Sequence, residues 1–100
     1  MARVSEKVKN YVPVGKGVCK TSMSLFDAIQ NTLNTMFDIR CSTKKTWGYE
    51  WYDLARYGYY AEARKELITK PACFSKSVAL QCIDDLEMLR AELEMKEGEK

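Results

Sequence analysis

The chain has 100 residues, of which 46% are apolar and 30% charged, with a net charge of +2 and no histidine. One folded domain with a modest core fits that length, and the apolar share excludes a disordered chain. The missing histidine excludes Ser-His-Asp and Cys-His catalysis, histidine metal ligands and the usual charge switch near neutral pH.

The N-terminus "MARVSEKVKN" has no apolar run behind its charges. No secretory signal is expected from it, and the cytoplasm is the expected location. In "ARVSEKVKNYV", Val4, Val8 and Tyr11 share one helical face, but the same run also alternates, so helix and strand both stay open. Pro13, Gly15 and Gly17 end whatever forms there. The stretch "VGKGVCKTSMSLF" has the look of a phosphate loop but not its spacing. Gly15 is followed by Cys19-Lys20-Thr21, so the second glycine is absent and the lysine falls one residue early. Pro13 also interrupts the strand that should precede such a loop. Residues 1–21 therefore read as a basic, partly flexible lead into a helix.

Residues 22–40 carry Leu25, Phe26, Ile29, Leu33, Met36 and Phe37 at steps of three and four, which predicts a helix. Thr21, Ser22 or Ser24 serves as its N-cap, and Ser24 with Asp27 resembles a capping box, with Asp in place of the usual Glu. The polar run "CSTKKT" at residues 41–46 predicts a loop. Beyond it, Trp47, Trp51 and Leu54 share a helical face, Gly58 marks a turn, and Ala61, Arg64, Leu67 and Ile68 continue as a second helix closed by Pro71. Two short helices about Gly58 make an αα-hairpin.

"GYYAEARKEL" resembles the turn and second helix of a tetratricopeptide repeat, with Gly58, Tyr60, Glu62, Ala63 and Leu67 at that repeat's steps and Trp47 at its first-helix tryptophan. Trp51 stands where the repeat has a small residue, and no second copy follows. A solenoid needs several units to bury a core, so the pattern is taken as a helical hairpin.

Residues 75–97 predict the last helix, capped by Ser75 or Ser77, with the charged end from residue 94 fraying. Ala79, Cys82, Leu86, Leu89 and Leu93 step by three and four as a short heptad seam. Packing within the bundle is the first reading of that seam. Self-association through residues 79–93, using Cys82, Leu86, Leu89 and Leu93, is the sharper one.

The expected fold is an all-α, small single-domain bundle of about four helices. Its expected core is Phe26, Ile29, Leu33, Phe37, Trp47, Trp51, Leu54, Leu67, Ile83, Leu86 and Leu89. No stretch is long and apolar enough to span a membrane. Cys19, Cys41, Cys73 and Cys82 include no Cys-x-x-Cys pair, so reduced thiols are expected, with no metal and no cofactor.

Charge is divided unevenly. Residues 1–45 hold eight Lys/Arg against three Asp/Glu, whereas residues 46–100 hold eight against eleven. Seven of the eleven aromatic residues fall between Trp47 and Tyr60, with Lys44, Lys45, Arg56, Arg64 and Lys65 around them. Such a mixture serves either a protein interface or base stacking with phosphate contact. Helical geometry sends the tryptophans to the core and leaves Tyr49, Tyr52 and Arg56 exposed, with Tyr59 and Tyr60 nearby. Glu50, Asp53, Glu62 and Glu66 lie in the same segment and would repel a phosphate backbone.

The expected function is thus a non-enzymatic helical module that binds a larger protein through Lys44, Lys45, Tyr49, Tyr52, Arg56, Tyr59 and Tyr60. An inhibitor or regulator of a host nucleic-acid-processing or defence complex, of viral or mobile-element type, fits this size. The alternative is nucleic-acid binding through Lys7, Lys9, Lys16, Lys20, Lys44 and Lys45 with the tyrosines.

Overall fold

The computed structural model describes residues 6–11 and 24–98, and every regular element among them is a helix. A one-turn helix, α1 (Glu6–Lys9), precedes α2 (Leu25–Trp47), α3 (Glu50–Arg56), α4 (Tyr60–Ile68) and α5 (Phe74–Gly98). The small all-α bundle read from the sequence is what forms. The readings placed on Val4, on residues 12–23 with Cys19, and on residues 99–100 lie outside the described residues, as do the side chains of Lys7, Lys16 and Lys20. Among the described residues no helix is long and apolar enough to cross a membrane.

Helix α2 begins at Leu25 and not at residue 22, and of the candidate caps Ser24 is the one used. Ser24 Oγ accepts from the Asp27 N–H at 3.1 Å, which occupies one of the donors the first turn leaves open. The helix does not stop at Arg40, however. "CSTKKT", expected as a loop, continues it to Trp47. Its hydroxyls return to the helix's own carbonyls: Thr43 Oγ1 donates to Ile39 O at 2.7 Å and Thr46 Oγ1 to Thr43 O at 3.2 Å. Thr32 and Thr35 do the same to Ala28 O and Asn31 O. A threonine bonded this way turns its methyl to its neighbours and buries no unpaired hydroxyl.

The buried face of α2 is therefore Ala28, Thr32, Thr35, Met36, Ile39, Thr43 and Trp47. This face packs chiefly on α5. The expected apolar stripe shares Met36 with this face and otherwise sits to one side of it. Ile29 and Leu33 lie half-buried at the core margin, while Phe26 and Phe37 are 66% and 46% exposed and do not belong to the core.

Gly48 ends α2 at φ 71°, ψ −167°, and its N–H reaches Lys44 O at 3.0 Å. Side-chain-bearing residues avoid that backbone region. The break puts Trp47 and Trp51 on two helices rather than on one face of a single helix. Their rings still meet edge-on, with centroids 6.2 Å apart. The turn expected at Gly58 forms at φ 98°. The Tyr59 N–H bonds Leu54 O and the Gly58 N–H bonds Ala55 O, which together make a Schellman motif. That motif folds α4 back on α3.

Neither Ser75 nor Ser77 caps α5, which begins at Phe74; Ser77 Oγ instead donates to Phe74 O. The joint between α4 and α5 is held by Lys76, whose Nζ donates to Ile68 O at 3.2 Å and Lys70 O at 2.9 Å. These are carbonyls at or just past the end of α4, where a cation is favoured. At its other end α5 continues through the expected fraying point to Gly98. Ala79, Cys82, Ile83, Leu86 and Leu89 are fully buried along it, and Leu93 is half-buried. The heptad side chains Cys82, Leu86 and Leu89 are thus filled by this chain's own core.

Candidate functional site

Two polar constellations stand out, one buried and one open. The buried one ties the N-terminal segment to α5. Asp85 is 1% exposed, and its carboxylate accepts from the Tyr11 O–H and from Gln81 Nε2, the latter at 3.0 Å. Val8, also buried, fixes the same segment. Burial first, then Cys82 and Asp85 nearby, push the Tyr11 phenol far above its ordinary value. Burial likewise raises the Cys82 thiol. A thiol held protonated is a poor nucleophile.

The open constellation lies where the second half of α2 meets α3. Arg40 projects from α2 between three rings: its Cζ is 4.7 Å from the Tyr49 ring centroid, 5.4 Å from Phe37 and 5.5 Å from Tyr52. Gly48 makes this possible, because the sharp break after Trp47 returns Tyr49 and Tyr52 towards the preceding turns of α2. Phe37 and Tyr52 also meet edge-on at 6.0 Å. Arg56 approaches the same Tyr52 ring at 5.9 Å and stacks on Tyr57 at 4.8 Å. Its Nη2 donates to the Tyr57 hydroxyl at 2.7 Å, the main cause of a raised guanidinium pKa. Tyr49 and Tyr57 are 49% and 67% exposed.

Arg40 Nε is buried and has no hydrogen-bond acceptor among the described residues. Among the described residues the ion pairs join Arg64 to Asp84 and Glu87, and Lys70 to Glu66, on α4 and α5. None of them takes Arg40, Lys44, Lys45 or Arg56. Lys44 follows Arg40 by one turn, on the same side of α2. Asp53 is the nearby acid and interacts favourably with Arg56 across space.

No family model matches the chain, and no curated protein or solved structure matches it.

Of the residues expected to bind a partner, Tyr49, Tyr52 and Arg56 come together, with Lys44 beside them. Tyr52 was expected to be exposed; it is 8% exposed and forms the floor of the cluster. Tyr59 is 57% exposed and Lys45 is exposed, but among the described residues no ring contact joins them to the stack. Tyr60 turns towards α5, where Arg90 Nη1 donates to its hydroxyl and to Arg56 O. Sequence reasoning missed Arg40, Phe37 and Tyr57. The available signal was Phe37, Arg40 and Lys44 at steps of three and four on one helix, running up to the glycine that reverses the chain. Among the described residues no group of acidic or cysteine side chains is placed to hold a metal ion.

Proposed function

We propose that this chain is a non-enzymatic helical module that docks a larger protein through the Arg40–Tyr49–Tyr52–Arg56 face. The observation that carries this reading is the pair of guanidiniums stacked on tyrosine rings, neither of them held in an ion pair among the described residues. Arginine and tyrosine are the residues that dominate interface energetics, and rings already packed by neighbours lose little freedom on binding. Docked in this way, a small domain acts as an inhibitor or regulator of the complex it joins, and a nucleic-acid-processing or defence complex is the proposed target.

The test is a photo-reactive residue in place of Tyr49, cross-linked in lysate with and without nuclease. A protein adduct that survives nuclease and disappears in an Arg56→Ala background is the expected result. An adduct abolished by nuclease would replace this reading with nucleic-acid binding. That second reading draws on the arginine–tyrosine stack and on Lys44 and Lys45, and it requires affinity that falls steeply with salt.

A further inference from the structure

Resting on the docking reading above, we infer that the partner segment seated on this face is acidic, an extended peptide whose carboxylates bind Arg40 and Arg56. Both guanidiniums sit on one ring, that of Tyr52, at 5.5 Å and 5.9 Å from its centroid. Two like charges sharing a ring repel one another, and an anion placed between them relieves the repulsion. A guanidinium stacked by its face keeps its edge for hydrogen bonds in its own plane, the geometry that receives a carboxylate in two parallel bonds; Arg56 gives one of its five N–H donors to the Tyr57 hydroxyl. No ion pair among the described residues takes Arg40, and its buried Nε meets no hydrogen-bond partner among them. Tyr49 and Tyr57, flanking the two cations, offer open rings for the apolar parts of the peptide. Asp53 beside Arg56 argues for a peptide over a nucleic acid. A peptide places its carboxylates where the cations are and keeps neutral residues near Asp53, whereas a phosphate backbone brings charge at every step.

The experiment selects random twelve-residue peptides on the intact chain by display, then measures the selected peptides by fluorescence anisotropy. Each is compared with a version whose Asp and Glu are replaced by Asn and Gln, and with a twelve-nucleotide single strand. Arg40→Lys keeps the charge and removes the stacked fork. Arg56→Ala removes an exposed side chain outside the core, and circular dichroism verifies that both variants stay helical. The expected result is acidic peptides that lose about tenfold or more in affinity on neutralisation and again in Arg56→Ala. Peptides that need Arg56 and Tyr49 but bind equally well without their carboxylates would overturn the acidic partner and leave the docking face standing. Tighter binding of the single strand at this face would overturn both in favour of nucleic acid. Selection of no peptide that depends on Arg56 or Tyr49 would also overturn both.

Discussion

Individual side chains set two behaviours of this molecule. The Tyr11 phenol and the Cys82 thiol are both held protonated in the folded chain. Below their ordinary values, about 8.5 for a thiol and about 10 for a phenol, folded and unfolded chains are protonated alike and stability is complete. Above them the unfolded chain releases protons that the folded chain retains, so stability falls as pH rises. Urea melts should therefore show a lower midpoint at about pH 10.5 than at about pH 8, with the slope reduced in Tyr11→Phe. At neutral pH that variant removes a donor from a buried carboxylate and should cost about 1–3 kcal/mol in the same melts. On the open face, Tyr49→Ala and Arg56→Ala remove exposed groups and should leave the urea midpoint essentially unchanged, so a binding loss there is not a folding loss. None of the Tyr11–Asp85 pairing was legible in the sequence, because the two residues lie 74 positions apart and no local pattern links them. Arg40 was equally hidden, since its significance comes from rings on another helix.

At the scale of the element, Gly48 decides the architecture. A Cβ added there meets nothing within 4 Å, so the whole penalty of a side chain is in the backbone. Gly48→Ala should cost about 1–3 kcal/mol, read as a lowered thermal midpoint. Loosening that break should also weaken the proposed peptide binding, because Tyr49 is placed over Arg40 by the same bend. The helix starts and turns that rest on local chemistry were legible: Ser24 caps α2 and Gly58 turns α3 into α4. The α2 face was not. Hydropathy counts Thr32, Thr35 and Thr43 as polar, yet each bonds its own helix and buries its methyl, so the stripe read from Phe26 to Phe37 lies beside the true contact. The Gly48 break was masked in the same way by Trp47 and Trp51, whose spacing of four imitates one continuous helix.

For the molecule as a whole, α5 is the common support, packing on α2 and on α4. Leu86 is fully buried in that junction. Leu86→Ala should cost about 2–5 kcal/mol, a large part of the about 5–15 kcal/mol that holds a domain together. Leu86→Glu should abolish the helical circular dichroism signal at room temperature. A Leu86→Glu chain that stays helical but changes its sedimentation would show instead that this seam faces a second copy. Around the core, Arg64 bridges α4 to Asp84 and Glu87 of α5, with side chains that remain substantially open to water. Exposed pairs of this kind contribute little to stability, so the bundle depends on its apolar centre and on the hydrogen bonds that close its joints.

The edge-on meeting of Trp47 and Trp51 gives the chain an internal optical reporter. These are its only two tryptophans, so all indole emission originates at the joint between α2 and α3. Trp51 in turn abuts Tyr52, at 6.1 Å, the ring on which Arg40 and Arg56 rest. A carboxylate arriving at those cations alters the electric field across the indole pair. Binding at the face and opening of the joint should therefore both register in the colour of the protein's own fluorescence, without a label.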